Sequence, residues 1–170
     1  INEATEVIGN LEGRLKISSA CSLIQPYHIA LDQLREKSSN LTKIGTTGRG
    51  IGTSYEDKVG RRSIRISDLY DEEKLKNKLS QSLDFYNSIF KHSFGASPID
   101  LNELFDQNLK QAVQLKPYVG NVIDEIRALQ NDDKKILFEG AQGALLDVSL
   151  GTYPFVTSSN LIGGVSAGVG

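Results

Sequence analysis

The distribution of glycine divides this chain into a helical middle and two loop-rich stretches. Only two glycines fall in residues 61–139, whereas five of the 16 lie in residues 45–60 and seven in residues 140–170. Glycine permits positive φ angles and close backbone approach, which suit turns and ligand-binding loops better than helix interiors. The sequence therefore predicts a mainly α-helical segment between two loop regions.

Four apolar stripes at helical spacing support this division. Pro26 suits the first turn of one helix, while Gly95 and Pro117 are predicted to end two others. Strand candidates are limited to residues 15–17 and 136–138. The stripes are Tyr27, Ala30, Leu31 and Leu34; Leu75, Leu79, Leu83, Tyr86 and Phe90; Leu101, Leu104, Phe105 and Leu109; and Val119, Val122, Ile123, Ile126 and Leu129.

Composition excludes several classes of protein. A hydrophobic content of 39% with 24% charged residues is typical of a globular chain. No apolar run approaches the ~20 residues that span a bilayer. The single cysteine, Cys21, cannot form a disulfide framework and is expected to be buried. His28 and His92 have no partner at metal-ligand spacing, and a chain that starts at Ile1 without any Met is expected to be part of a longer protein.

Residues 45–52 read Gly-Thr-Thr-Gly-Arg-Gly-Ile-Gly, a pattern typical of either an anion-binding loop or a structural turn. The glycines leave backbone N–H groups accessible, Thr46 and Thr47 add hydroxyl donors, and Arg49 adds a planar cation. The spacing fits neither a Walker A loop nor the dinucleotide-binding fingerprint. Both interpretations stand equally at this point.

A basic segment overlaps this loop. Residues 43–65 contain six basic and two acidic side chains, in a chain whose formal net charge is −2. If the segment were helical, one face would carry Lys58, Arg61, Arg62 and Arg65, and it would favour a phosphate ligand. The alternative is a solvated face partly neutralised by Glu56 and Asp57. The near-neutral total argues against a general nucleic-acid or membrane binder.

The third candidate region covers residues 138–160. A strand at 136–138 would deliver Glu139 and Gln142 to its carboxyl end, where open α/β sheets bind ligands. Residues 157–160, Thr-Ser-Ser-Asn, form a dense set of neutral hydrogen-bonding groups. They favour either a binding loop or a capping segment before a glycine-rich turn.

Together, residues 45–62, 138–143 and 151–160 resemble the adenylosuccinate synthetase family, over essentially the whole chain. The resemblance implies GTP-dependent joining of IMP and L-aspartate to form adenylosuccinate, with Mg²⁺ as cofactor, in a cytoplasmic homodimer. It also implies an α/β parent fold with a mostly parallel, P-loop-like sheet. This segment, a middle portion of the family's length, is expected to be mainly α-helical with one or two strands.

The resemblance also implies site residues. Thr47 and Thr157 would contact the IMP phosphate, and Arg61 would reach the IMP of the neighbouring subunit. Gln142 would stabilise the hypoxanthine oxygen that becomes phosphorylated. Secondary candidates are Arg49, Lys58, Arg65 and Asn160. The catalytic Asp and His, the Mg²⁺ ligands and the GTP site are expected outside the segment, which would be inactive alone and hold no metal.

On this interpretation the chain has four parts: a lead-in (1–43), the substrate loop with the basic segment (44–66), a helical subdomain (67–133), and a strand with IMP-binding loops (134–170). The family usually has Pro-Ala where Thr53-Ser54 stands here, a difference expected to loosen the loop. One alternative is a non-catalytic helical binding or dimerisation module that retains an anion loop. A nucleic-acid binder is disfavoured because Tyr55 is the only aromatic residue among the basic ones.

Overall fold

The computed structural model describes residues 1–38 and 43–161, which are mainly helical, as predicted. None of the helices in these ranges has the length and apolarity required to cross a membrane. The elements are α1 (Asn2–Ile8), β1 (Ile17–Ser18), α2 (Pro26–Lys37), α3 (Ile51–Val59), α4 (Glu72–Ile89), α5 (Leu101–Leu115), β2 (Val119–Gly120) and α6 (Val122–Asn131). Short 3₁₀ turns cover Ile66–Tyr70, Lys116–Tyr118 and Ala144–Leu146, and a π-helical turn, Phe90–Phe94, extends α4.

Local signals set the ends of the central helices. Pro26 occupies the first turn of α2, as predicted. Asp71 and Asp100 accept hydrogen bonds from backbone N–H groups in the first turns of α4 and α5, which satisfies donors that have no partner within the helix. Gly95, with φ 61°, ends the π-helical turn. Helix α5 ends two residues before Pro117, so these predicted boundaries are confirmed.

The hydrophobic core lies between α2, α4 and α5. Tyr27 from α2 stacks on Tyr86 from α4 with 4.4 Å between ring centroids, and Leu104 of α5 is fully buried beside them. Each such burial contributes about 1.5–3 kcal/mol, so these helices form the stable frame that carries the loops. The remaining core residues are Leu31, Ile64, Leu69, Leu75, Leu79, Leu83, Phe90 and Ala112.

The sheet differs from the sequence prediction. Strands β1 and β2 pair in parallel, Ile17 with Val119 and Ser18 with Gly120. The predicted strand at 136–138 is wrong, because within the described residues no strand lies beside it, and Leu137 is 87% exposed. Val119, predicted as the start of a helical stripe, belongs to β2 instead, and the helix begins at Val122.

Candidate functional site

The loop that precedes α3 directs its backbone donors at a carboxylate. The N–H groups of Ile44, Gly45 and Thr46 donate to Glu36 Oε1 over 2.9, 3.0 and 3.3 Å. These hydrogen bonds, that of Ile44 above all, hold the pKa of Glu36 below its ordinary value. The loop therefore gathers N–H groups around an anionic group, and in this structure that group comes from α2 of the same chain.

The start of α3 packs directly against α2. Gly50 has φ 76°, and a Cβ there would lie 2.8 Å from the backbone nitrogen of Ile29, so only glycine fits. The Gly50 N–H donates to the buried carboxylate of Asp32 over 2.9 Å. The hydroxyl of buried Thr53 donates to the carbonyl oxygens of His28 and Gly50. The Thr53 hydroxyl therefore ties α3 to α2, and the looser loop expected from Thr53-Ser54 in place of Pro-Ala stays a prediction.

The predicted cationic face on a helix through residues 58–65 is wrong. Helix α3 ends at Val59, and Arg61 adopts a left-handed conformation with φ 60°. Because the helix ends before this turn, the four basic side chains do not lie along one helix. Lys58 remains on α3, with its Nζ atom 5.4 Å from the centre of the Tyr55 ring. Arg65 lies beyond the turn and donates its backbone N–H to Asp68.

A buried carboxylate, Asp57, lies beneath this turn. It accepts hydrogen bonds from His28 Nε2 over 2.9 Å and from Arg62 Nε over 2.6 Å, and its side chain is fully buried. The backbone N–H of Gln25 donates to His28 Nδ1 over 3.0 Å. Since Nδ1 is an acceptor, Nε2 carries the proton that His28 donates to Asp57. The hydrogen bond between His28 and Asp57 joins α2 to α3, and Asp57 also holds Arg62 at the turn.

The charges around Asp57 are balanced within the cluster. Burial by itself raises the pKa of Asp57, but the hydrogen bonds from the His28 and Tyr86 side chains and the charge of Arg62 outweigh it, so the pKa lies below its ordinary value. Burial, reinforced by the negative charge of Asp57, raises the pKa of Tyr86, which faces the same carboxylate. Asp57 is therefore an ionised structural acceptor at neutral pH.

The second group of predicted residues converges on one hydroxyl. Gln142 Nε2 donates to Ser159 Oγ over 2.6 Å and lies 3.4 Å from Thr157 Oγ1. The two hydroxyl oxygens of Thr157 and Ser159 are 3.2 Å apart. The structure thus brings Gln142 and Thr157 together, and it adds Ser159 as a shared neighbour.

Asp147 organises the loop that carries these hydroxyls. Its side chain is 1% exposed. The Oδ1 atom accepts the backbone N–H groups of Ser149 and Leu150 over 2.8 and 2.9 Å, and Oδ2 accepts that of Leu161 over 2.6 Å. Asn160 donates its side-chain amide to Asp147 and to Ser149. The predicted secondary residue Asn160 is therefore part of the internal structure of this loop.

The two loop regions lie next to each other. Ser158 Oγ is 3.1 Å from the position that a Cβ on Gly52 would occupy. The hydroxyl-rich loop therefore touches the first turn of α3, close to the exposed Thr47 and Arg49. Arg61 lies beyond the opposite end of α3, a helix length of ~12 Å away.

Comparison with known protein families identifies the family of this chain. The family model described as adenylosuccinate synthetase matches residues 2–170. The chain belongs to the adenylosuccinate synthetase family. The family prediction made from the three motifs is confirmed.

Individual relatives agree with this assignment. Adenylosuccinate synthetase of Bordetella pertussis is 49% identical over 170 residues, which cover 99% of this chain and 39% of that protein. The enzyme of Neisseria meningitidis serogroup C is 52% identical over 164 residues, or 96% of this chain and 38% of that protein. A structure of fully ligated adenylosuccinate synthetase from Plasmodium falciparum matches 99% of this chain and 40% of its own, with a TM-score of 0.87 and 32% identity. The chain thus spans about two fifths of the length of its relatives.

Two further observations concern candidate metal ligands and the single cysteine. In residues 1–38 and 43–161, no three His, Cys, Asp or Glu side chains come together as metal ligands. Cys21, expected to be buried, is exposed and lines a cavity of about 260 Å³ beside Tyr55 and Lys58. The prediction that Cys21 is buried is wrong, because Cys21 lies beyond β1 in a segment that lines this open cavity.

Sequence patterns did not reveal the residues that hold these loops in place. His28 has no acidic partner at short sequence spacing, since the Asp57 that it contacts is 29 residues away along the chain. Asp147 carried a usable signal, because an aspartate whose side chain bonds the N–H groups two and three residues later is typical of tight turns. Ser159 carried none beyond its place in a polar run.

Proposed function

We propose that the full-length protein joins IMP and L-aspartate at the expense of GTP, giving adenylosuccinate, GDP and phosphate. This reaction is the first committed step toward AMP. The proposal is carried by the contact between Gln142 and Thr157, an amide and a hydroxyl from two separate motifs of an adenylosuccinate synthetase chain. Both side chains are only partly buried, so both are accessible to a nucleotide.

Gln142 suits the oxygen that becomes phosphorylated. The 6-oxygen of IMP would take the γ-phosphoryl group of GTP, after which the aspartate amine attacks C6 and phosphate leaves. The Gln142 amide donates to Ser159 over 2.6 Å and to Thr157 over 3.4 Å, and the longer of these bonds would be exchanged for one to the 6-oxygen as negative charge develops there. Such a donor, held in place before the reaction, stabilises the charge without reorganisation.

Thr47 and Thr157 suit the phosphate of IMP. Hydroxyl groups and backbone N–H groups are neutral donors that commonly bind phosphate oxygens, and Arg49 adds a cation that is exposed in the same loop. Lys58 and Arg65 are exposed on either side of the turn and would add positive potential near the nucleotide. Asn160 would act on this site only through the loop that it stabilises.

Arg61 suits an IMP molecule bound to the neighbouring subunit of a homodimer. It is exposed, and it lies beyond the far end of α3 from Gly52, next to which Ser158 lies. A side chain a helix length away from its own hydroxyl loop is better placed to complete the site of another copy. In a symmetric dimer the same exchange occurs twice.

GTP and Mg²⁺ would bind to other parts of the protein. The groups around Gln142 are neutral hydroxyls and amides, whereas Mg²⁺ prefers carboxylate oxygens and phosphates. Asp147, the carboxylate inside this loop, is engaged by backbone N–H groups, and no three His, Cys, Asp or Glu side chains of the described residues come together as metal ligands. The residues described here therefore do not fit Mg²⁺, and we expect the 170-residue chain to form no adenylosuccinate by itself.

The replacement Gln142→Ala in the full-length protein tests this proposal. Because the partner charge develops during the reaction, kcat should fall by about 100-fold while KM for IMP changes much less. Gln107→Ala, on the exposed face of α5, provides a matched control that should leave both constants unchanged. An effect of Gln142→Ala on KM alone, or no effect on either constant, would refute the assigned role.

A further inference from the structure

The two adjacent arginines at the end of α3 are both exposed, but they differ in their contacts. Arg61 is exposed and adopts the left-handed conformation, with φ 60°. Arg62 turns back toward its own chain, where its Nε donates to Asp57 Oδ1 over 2.6 Å and its guanidinium lies 4.7 Å from the centre of the Phe85 ring. Arg62 therefore pairs with Asp57 of its own chain, and Arg61 lies exposed beside it.

The conformation of Arg61 requires an explanation. A left-handed residue after a helix is usually glycine, because a side chain is strained there. Here the glycine comes one residue earlier, and Gly60 has an ordinary right-handed conformation. Such strain persists only where the surrounding structure imposes it, and it is found preferentially at functional sites.

The surroundings of Gly60 indicate what imposes the left-handed conformation on Arg61. A Cβ on Gly60 would lie 2.9 Å from Arg62 Nη1 and 3.0 Å from the carbonyl oxygen of Glu56. Glycine at residue 60 leaves room for the Arg62 side chain to pass over the turn to Asp57, whereas a larger residue would displace the Arg62 guanidinium. The backbone follows the same path, since the Arg62 N–H donates to the Asp57 carbonyl over 3.1 Å.

The anchor for this turn is rigid. The Asp57 side chain is fully buried, and its second oxygen is held by His28, which is itself fixed by the backbone of Gln25. Arg62 is therefore attached to α2 as well as to α3. A turn tied to two helices presents its exposed residue in one direction.

We propose that Asp57 and Arg62 are positioning residues for Arg61: the ion pair between buried Asp57 and half-exposed Arg62 holds the left-handed turn that projects Arg61 toward the IMP of the neighbouring subunit. This inference rests on the proposed role of Arg61 across a dimer. It assigns a function to the Asp57 and Arg62 positions of the motif, to which the resemblance to the family gave none.

The first test measures KM for IMP in the full-length protein. Arg62→Met keeps the side-chain stem on Phe85 and removes the ion pair, so KM should rise about tenfold, as expected when a binding group is misplaced. The KM of Arg62→Lys should lie between that of Arg62→Met and that of the original protein. Arg35→Met is a control, because the Arg35 side chain is as exposed as that of Arg62 and also pairs with an acid of α3, but that acid, Glu56, is exposed and the pair does not hold the turn. A rise below about threefold for Arg62→Met, or an equal rise for Arg35→Met, overturns the inference.

The second test separates positioning from general damage. In an Arg61→Leu background, Arg62→Met should raise KM no further, because the residue that it positions is already absent. A purely structural defect would still add its own effect, and that outcome would contradict the proposal. Asp57→Asn, which removes the same pair from the buried side, should repeat the result.

The third test uses mixed dimers at limiting IMP. An Arg62→Met subunit keeps its own Thr157 and would receive Arg61 on an intact turn from a Thr157→Ala partner. Random mixing makes half of the dimers mixed, each with one intact site, so activity should reach about a quarter of that of the original protein. If Arg61→Leu with Thr157→Ala restores activity but Arg62→Met with Thr157→Ala does not, the positioning role fails. If neither mixture restores activity, the proposed site shared between subunits fails.

Discussion

Replacement of Asp147 by asparagine should loosen the loop that carries Thr157 and Ser159 while leaving the helical core intact. Among the described residues, the carboxylate accepts three backbone N–H groups, two at Oδ1 and one at Oδ2. Asparagine keeps its shape but offers only one oxygen. That oxygen best replaces Oδ1, so the new NH₂ group would face the N–H of Leu161, and two donors would meet.

The expected magnitude follows from these contacts. A hydrogen bond to a charged group contributes about 1.5–3 kcal/mol, and the bond from Leu161 would be lost outright. Exchange of the Leu161 amide should therefore accelerate by about tenfold to a hundredfold if it exchanges through opening of this loop. The amides of Ser149 and Leu150 should accelerate less, because they keep a neutral acceptor.

Hydrogen–deuterium exchange read by mass spectrometry or NMR checks this result. Asp84→Asn on the exposed side of α4 makes the same chemical change at a surface position and should leave exchange in residues 145–161 unaltered. Peptides from α4 should exchange at the same rate in Asp147→Asn as in the original protein, because the buried residues of α4 lie in a separate part of the structure. Unchanged protection at Leu161 in Asp147→Asn, or equal loss throughout α4, would show that Asp147 does not hold this loop locally.

Two further predictions concern the same regions. Gly151→Ala should disorder the loop that carries Thr157 and Ser159 and weaken IMP binding, because its Cβ would overlap the carbonyl oxygens of Leu145 and Asp147. Gly143→Ala is the stability control, since a Cβ at residue 143 meets open space. Equal unfolding midpoints for the two variants would contradict the steric argument. Stability should also fall in acid: the pKa values of Asp57 and Asp68 lie below their ordinary values, so their contribution is complete above about pH 5 and is lost as pH falls through the folded-state pKa values. Thermal midpoints measured from pH 7 to pH 3 should therefore decline less steeply for Asp57→Asn than for the original chain, and parallel curves would argue against this source of acid sensitivity.

The helices of this fold were predictable because their signals are local. Pro26, Asp71 and Asp100 mark helix starts within one turn of the residues that they affect. The sheet was not predictable in the same way. Strand β2 contains two residues, and its existence depends on pairing with β1 far away along the chain. The apolar run at 136–138 has strand composition, but composition does not supply a neighbouring strand.

The basic segment shows how a periodic pattern misleads when a stop signal is ignored. Lys58, Arg61 and Arg65 have helical spacing on paper, yet Gly60 lies among them and the helix ends at Val59. The glycine is a recognised terminator, so this boundary was available from the sequence. The destination of Arg62 was not, since it depends on a carboxylate whose burial requires the packing of α2 on α3.

The candidate site is therefore built from two kinds of residue that the sequence reveals unequally. Side chains proposed to touch IMP, such as Thr47, Arg61 and Gln142, are exposed or partly exposed and can be recognised from motifs by their ligand chemistry. The buried carboxylates Asp57 and Asp147 touch no proposed ligand, yet each collects several donors from chain segments that carry those side chains. Because a buried carboxylate is costly unless every donor is in place, each of them allows only a narrow range of loop geometries. The precision that a phosphoryl-transfer site requires would then come from acids beneath the loops rather than from the residues that meet the nucleotide.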